Sequence, residues 1–304
     1  MFLAYNDYKR LNNGSEISDF RHFYKTISNK IEFAGAFSNY DYLVKFRFMN
    51  LLQYVYNAVL RKHPSKILDI GCGNGTNLPI ARIFPSIEYH GLDYAEKTIQ
   101  IARKEYPDIV FHLEDAFNTS FENNTFDMII LSNVLILFKD EIDQIALLRE
   151  AHRILKDDGV FLLIVWKESF FLKRSIQFSR VISKLLKQKQ LEDFMGVYFS
   201  KKDIKSLAHK THLRIVESFH PSSLYGVLES VRYLNLSKYN RVYGKSESEA
   251  SIVHNQDVLE DLKRQAGSLK SLTTIYYYLS LIFPDMFSHF SIYIMGKMNP
   301  VPGV

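Results

Sequence analysis

The chain has 304 residues, 47% hydrophobic and 23% charged, which excludes a disordered polypeptide and leaves apolar surface for one or two folded domains. Its net charge of +5 and pI near 9.0 suit anionic small molecules and fall short of a dedicated nucleic-acid arm. A single cysteine, Cys72, excludes an intrachain disulfide or a cysteine-built metal cluster and points to a reducing cytoplasm.

Charges follow the first residues quickly, so no signal peptide is expected. Phe46, Met49, Leu52, Val55 and Val59 recur at helical steps within a segment running from Phe20 to Leu60. Pro64-Ser65 ends it. Strands and helices then alternate. Lys66–Ile70 reads as a first strand, Thr76–Phe84 as a helix, Ile87–Asp93 as a second strand and Lys97–Tyr106 as a helix stopped by Pro107. Ile109–Leu113 and Phe126–Leu131 are the third and fourth strands, and Glu141–Leu155 is an amphipathic helix. Val160–Trp166 is apolar at every position and predicts a buried central strand. This alternation predicts a parallel sheet covered on both faces.

Beyond Trp166 the regularity lapses. Glu168–Phe194 reads as a basic helical segment, Lys201–Thr211 as a helix and Leu213–Phe219 as a sixth strand. The stretch Pro221–His289 predicts mostly helical insertion, because so long a structureless loop is improbable in a compact domain. Phe290–Lys297 reads as a seventh strand. The longest uncharged apolar run, Ser271–Pro284, is shorter than the ~20 residues a membrane helix needs.

Chemistry concentrates in Leu68-Asp69-Ile70-Gly71-Cys72-Gly73-Asn74-Gly75-Thr76. A glycine-rich turn after a first strand lets backbone approach a ligand where a β-carbon would collide. Dinucleotide-binding dehydrogenases space their glycines G-x-G-x-x-G, whereas here they alternate strictly at 71, 73 and 75. Asp93 closes the second strand, where a carboxylate can accept both ribose hydroxyls. Asp115 follows the third strand, with Ala116 and Phe117 beside it, placed to accept from an adenine amino group under a flat apolar cover. Each acid has a simpler reading: Asp69 as a cap of the glycine loop, Asp93 as a helix cap, Asp115 as a turn residue.

In order and spacing these features resemble the class I S-adenosylmethionine-dependent methyltransferases. The likeness covers roughly Ser65–Trp166, and more loosely Lys201–Phe219 and Phe290–Lys297. It rests on the glycine motif, acidic Asp93, the Glu114-Asp115-Ala116 turn, Phe126-Asp127 opening the fourth strand, and Leu155-Lys156-Asp157-Asp158-Gly159 before the fifth. The resemblance implies an α/β fold, a Rossmann-like doubly wound sheet of seven strands, mostly parallel with the last antiparallel. A helical lid would occupy residues 1–64, and the methyltransferase domain residues 65–304, with substrate-side insertions at about 167–199 and 221–289. S-adenosyl-L-methionine is the implied cofactor. Asp69, Gly71, Cys72, Gly73, Asn74 and Gly75 would face its methionine and ribose, Asp93 and Tyr94 the ribose, Asp115, Ala116 and Phe117 the adenine, and Ser132 and Asn133 the methionyl end.

The acceptor half carries no motif. Ser132-Asn133-Val134-Leu135 lacks the Asn/Asp-Pro-Pro-aromatic turn of amino-group methylases, and no acidic set offers magnesium its oxygen ligands. A hydroxyl acceptor needs a base, and histidine titrates near neutrality. His152 and His209 suit helix C-termini as cations and His212 a turn, which leaves His220, just after the sixth strand, as the candidate, with Tyr225 as a weaker companion. Tyr40, Tyr42 and Arg47 either close over the cofactor or pack.

The basic segment Lys167–Lys189 suits a phosphate-bearing acceptor or an anionic membrane surface, or is a solvated lid face. Thr274–Phe283 is a buried helix or a homo-oligomer contact. The expectation is a cytoplasmic methyltransferase acting on a small or saccharide-like acceptor at oxygen. Its alternatives are an N-methyltransferase, a protein or RNA methyltransferase, and a cofactor-binding regulatory subunit without turnover.

Overall fold

A computed structural model describes residues 42–73, 75, 77–169, 174, 197–220, 279, 288 and 290–298. The sequence expectations for residues 1–41, for most of the basic segment after Ser169, for 221–278 and for most of Thr274–Phe283 lie outside the described residues. The chain divides into two compact units: Met1–Trp166 with Met195–Phe219 and Ile292–Val304, and Lys167–Phe194 with His220–Ser291.

In chain order the elements are α1 (Tyr42–Lys62), β1 (Lys66–Ile70), α2 (Pro79–Ile83), β2 (Glu88–Asp93), α3 (Glu96–Glu105), β3 (Val110–Leu113) and β4 (Phe126–Ser132). A 3-10 turn (Leu135–Leu137), α4 (Glu141–Ile154), β5 (Leu155–Trp166), α5 (Lys201–Lys210), β6 (Leu213–Phe219) and β7 (Phe290–Lys297) follow. They build one seven-stranded sheet in the order β3-β2-β1-β4-β5-β7-β6. Strands β1 to β5 pair in parallel, and β7 runs antiparallel to β6. This is the mixed, Rossmann-like sheet expected.

Burial explains why these segments are strands. Ile67, Leu68 and Ile70 of β1, Met128–Leu131 of β4 and Phe161–Val165 of β5 are wholly buried. Such runs place apolar side chains on both faces, which only a sheet layered on each side can bury. Of the expected stripe on α1, Val55 and Val59 are buried and Leu52 is half-buried, with Ala58 buried beside them. The helix stops at Lys62, and His63 turns left-handed (φ 46°) before Pro64. Arg61 at its end pairs with Glu217 of β6 at 2.9 Å.

Most ends within the sheet shift by a residue at most, and two element starts depart further from expectation. The helix expected over Thr76–Phe84 starts at Pro79, because the glycine loop runs on as turns, Gly75 N–H donating to Cys72 O and Leu78 N–H to Gly75 O. Proline at the first helical position loses no hydrogen bond and sets the helical φ. The fifth strand begins at Leu155 rather than Val160. Leu155 pairs with Phe126, and the register slips before Met128 pairs with Val160. Lys156, Asp157 and Asp158 fill the irregular stretch and carry no apolar signal. Lys156 Nζ holds Asp127 Oδ1 at 2.7 Å, and the other Asp127 oxygen accepts from the Ser65 and Lys66 N–H groups, so this carboxylate ties the starts of β1, β4 and β5 together. Among the described residues no helix is long and apolar enough to cross a membrane.

Candidate active site

The sheet order reverses direction at β1: the chain runs outward through β2 and β3, then returns to place β4 on the other flank. Open α/β sheets bind ligands at such a reversal, outside the strand ends. The acids and glycines singled out in the sequence gather there.

Asp69, near the end of β1, is 1% exposed. Both its oxygens accept from Asn77 Nδ2, at 3.3 and 3.2 Å, and one lies 3.5 Å from the Tyr89 hydroxyl. Burial pushes its carboxyl up to about 7, against the opposing pull of those two donors. Asp93, at the end of β2, is also buried. Its Oδ2 accepts from Gly73 N–H and its Oδ1 from Ala95 N–H, each at 3.0 Å. Burial raises it to about 6 while those amides pull it down. Asp93 thus grips the loop after β1 and the start of α3 at once, and each of its oxygens keeps lone-pair capacity for a further donor.

The loop between them needs its glycines for different reasons. Gly71, Gly73 and Gly75 all have positive φ (70°, 56° and 103°), conformations that side chains rarely adopt. At Gly71 a Cβ would also lie 2.3 Å from Val134 Cγ2, and at Gly75 2.7 Å from Leu78 Cδ1. At Gly73 it would meet nothing within 4 Å. Gly71 and Gly75 are packed against protein, and Gly73, whose N–H Asp93 holds, faces open space among the described residues. Cys72 is buried, and burial together with the flanking carboxylates raises its thiol well above the usual range, so it packs beneath the loop as an inert thiol.

Past β3, Asp115 is exposed, with its Oδ1 accepting from Phe117 N–H at 3.0 Å. Ala116 and Phe117 are half-buried, and Phe117 meets Phe138 edge to face at 5.0 Å. Glu114 N–H donates to Asp93 O, so the ends of β2 and β3 are joined by backbone. Beyond β4, Asn133 is left-handed (φ 59°), its N–H donates to Ile164 O and its Nδ2 to Ser132 Oγ. Its Oδ1 is buried and has no hydrogen-bond partner among the described residues. Val134, seated against Gly71, brings the β4 end to the same loop. Tyr94 follows Asp93, half-buried.

An adenosine-type sulfonium cofactor fits this donor set: a glycine face no β-carbon fills, two buried carboxylates at neighbouring strand ends, and a buried carbonyl, Asn133 Oδ1, with acceptor capacity unused among the described residues. Sequence reasoning missed Asn77, Tyr89 and Val134. Asn77 is one polar residue in a turn, and the roles of Tyr89 and Val134 arise only from pairing across the sheet.

The remaining candidates do not join this cluster in the described residues. Asn74, Tyr40 and Tyr225 lie outside them. Tyr42 and Arg47 lie on α1, and their side chains are not among those described. His220 is half-buried in the second compact unit, its Nδ1 3.0 Å from Ser291 Oγ. His152 and His209 fall in the last turns of α4 and α5, and His212 turns left-handed before β6. No group of three or more metal-ligating side chains occurs among the described residues.

Comparison with known proteins agrees with the geometry. A family model described as "Methyltransferase domain" matches residues 43–218. The chain is 33% identical over 114 residues to a demethylmenaquinone methyltransferase of Thermotoga maritima, covering 36% of this chain and 47% of that protein. It is 30% identical over 106 residues to the Bos taurus protein named "Probable tRNA methyltransferase 9B", covering 35% of this chain and 22% of that one. The chain spans less than half the length of these curated relatives. A solved structure from Galdieria sulphuraria, assigned as a sarcosine dimethylglycine methyltransferase, superposes with a TM-score of 0.51 at 16% identity, covering 83% of this chain and 86% of that one. At that identity the likeness speaks for the fold alone.

Proposed function

This chain belongs to the class I S-adenosylmethionine-dependent methyltransferase family, and from that membership we propose that it transfers a methyl group to a small or saccharide-like acceptor, at oxygen. The observation that carries the cofactor half is the Asp93 carboxylate holding, at 3.0 Å, the N–H of Gly73, the loop glycine that faces open space among the described residues. When bound, the cofactor supplies an electrophilic methyl on a sulfonium, and the chain supplies position. Asp93 is pre-oriented by two amides to accept ribose hydroxyls, Asp115 is proposed for the adenine amino group, and Asp69 and Asn133 Oδ1 for the methionyl end. Holding reactants in line is a proximity effect that can supply ~7–11 kcal/mol of the barrier.

The proposed domain plan places a helical lid at residues 1–64 and the catalytic domain at 65–304, with substrate-side insertions at about 167–199 and 221–289. The separate compact unit Lys167–Phe194 with His220–Ser291 supports it. Within that unit His220 is the proposed base for a hydroxyl acceptor, its ring oriented by Ser291. His220→Gln is expected to lower kcat with cofactor affinity unchanged; an unaltered kcat removes the base assignment.

Calorimetric titration with S-adenosylmethionine, S-adenosylhomocysteine and NAD tests the reading. Micromolar binding of the two sulfur nucleosides is expected, with no NAD binding and a loss of about 1–3 kcal/mol in Asp93→Ala, the usual cost of unpairing buried polar groups. Failure of folded protein to bind either nucleoside overturns the reading. The likeness to the Bos taurus protein favours a second acceptor class, RNA. Nucleotide-sugars, a demethylmenaquinone analogue and tRNA therefore belong in one acceptor screen, and steep salt dependence marks the nucleic-acid outcome.

A further inference from the structure

A chain of four titratable side chains runs along one face of β2 and β3, outside the proposed cofactor contacts. His90 Nε2 is 2.7 Å from Glu88 Oε1, His90 Nδ1 is 2.9 Å from His112 Nε2, and His112 Nδ1 is 3.8 Å from Glu114 Oε1. The two imidazoles lie nearly parallel, their centroids 5.2 Å apart, with Phe121 and Phe126 set edge-on around them. The far end matters most: Glu114 Oε2 accepts from Ser120 N–H at 2.8 Å and its Oε1 from Ser120 Oγ at 2.7 Å. Glu114 therefore closes the loop 114–120, which carries Asp115, Ala116 and Phe117.

Hydrogen-bond bookkeeping fixes the protons. His90 Nε2–H donates to the Glu88 carboxylate, so the neutral His90 ring presents a bare Nδ1, which accepts from His112 Nε2–H. His112 Nδ1 is then also bare and faces a carboxylate oxygen, two acceptors that cannot bond, and their 3.8 Å separation is longer than any hydrogen bond. One added proton has a single good place, His112 Nδ1, where it makes a charge-assisted bond to Glu114 and leaves every other link intact. A second would oppose two N–H groups between the rings.

We propose that Glu114 is a positioning residue for the adenine-side loop and that the His90–His112 pair accepts one proton, at His112, which tightens Glu114 on that loop and so strengthens nucleoside binding. This rests on the cofactor reading above. The charged and titratable groups facing the pair are Glu88 and Lys66 at its outer end, Glu114 at its inner end and Arg103 from α3. Burial holds both imidazoles below their ordinary range, with the cations Lys66 and Arg103 adding to the shift of His112. The tightening therefore develops as pH falls below the usual histidine range and is lost as pH rises through it.

S-adenosylhomocysteine affinity measured by calorimetry from pH 5 to 8, in wild type and in His112→Gln, tests the proposal. Both proteins share any acid-side loss from Asp69 and Asp93, so the ratio of their affinities isolates the histidine. The ratio is expected to shift about three- to tenfold in favour of wild type at the acid end. Heteronuclear NMR of the free protein should show His90 holding its proton on Nε2 throughout, while His112 gains its second proton at Nδ1. By reciprocity, S-adenosylhomocysteine should then raise the His112 pKa. A flat ratio, or two rings titrating independently, overturns the proposal alone. Absence of binding in both proteins at every pH overturns the cofactor reading as well.

Discussion

Asp69 and Gly71 show how much one position carries in this site. A carboxyl pushed up to about 7 by burial binds its proton more tightly folded than unfolded. Stability from this group is therefore greatest at acid pH and falls as pH rises from about 4 through 7, by up to about 4 kcal/mol. Urea denaturation at pH 5 and pH 8 should show that decline, and Asp69→Asn should flatten it. A cationic amine bound at Asp69 would favour the charged form, so ligand should offset the loss at pH 8. Gly71→Ala meets both a positive φ and Val134 at 2.3 Å, and a loss of about 2–3 kcal/mol of stability is expected. Gly73→Ala meets only the φ, near 1 kcal/mol, so its larger effect should fall on nucleoside affinity. Thermal unfolding and calorimetry on the two variants separate these outcomes. The glycine positions were legible from their alternation alone. Which glycine packs and which faces open space was not, because that depends on Val134 arriving from another strand.

At the scale of elements, local signals and packing divide the work. β1, β6 and β7 have the bounds read from the sequence: β1 and β7 are buried on both faces and leave near-continuous apolar runs that end where burial ends, whereas β6, the outermost strand, buries only Leu213 and mixes polar with apolar residues. The helix at Lys201–Lys210 opens with a full capping box: Asp203 N–H donates to Ser200 Oγ, and Ser200 N–H to Asp203. Ser200→Ala should cost about 1 kcal/mol, read as a lowered urea midpoint with unchanged slope. The start of β5 was illegible because the pairing is irregular between Leu155 and Val160, where Asp157 and Asp158 are exposed and no apolar run forms. The loop after β3 is pinned both from a distance and from within: Thr119 donates to Glu150 Oε1 of α4 through both N–H and hydroxyl, and Ser120 donates to Glu114 at the loop's own start. Nothing in the sequence marks Glu150 as a partner of that loop.

Across the whole molecule, the strand order sets the chemistry. Because β1 sits between β2 and β4, the ends of β1 to β4 deliver Asp69, Asp93, Asp115 and Asn133 to one edge. Binding that joins four strands should stabilise the sheet as a unit. S-adenosylhomocysteine at 100 times its Kd is expected to add about 2.7 kcal/mol, seen as a raised Tm, and NAD to add nothing. The alternation of apolar runs with amphipathic segments, the glycine spacing and the acids at strand ends already specify a parallel sheet and a nucleoside site, because local pattern dictates which face of each element must be buried. The Asn77 and Tyr89 grip on Asp69, the Asp93 grip on Gly73, the orphaned Asn133 carbonyl and the histidine chain behind Glu114 belong to the tertiary structure. Each depends on residues far apart in the chain meeting at hydrogen-bond distance, and only strand order and register decide which of them meet.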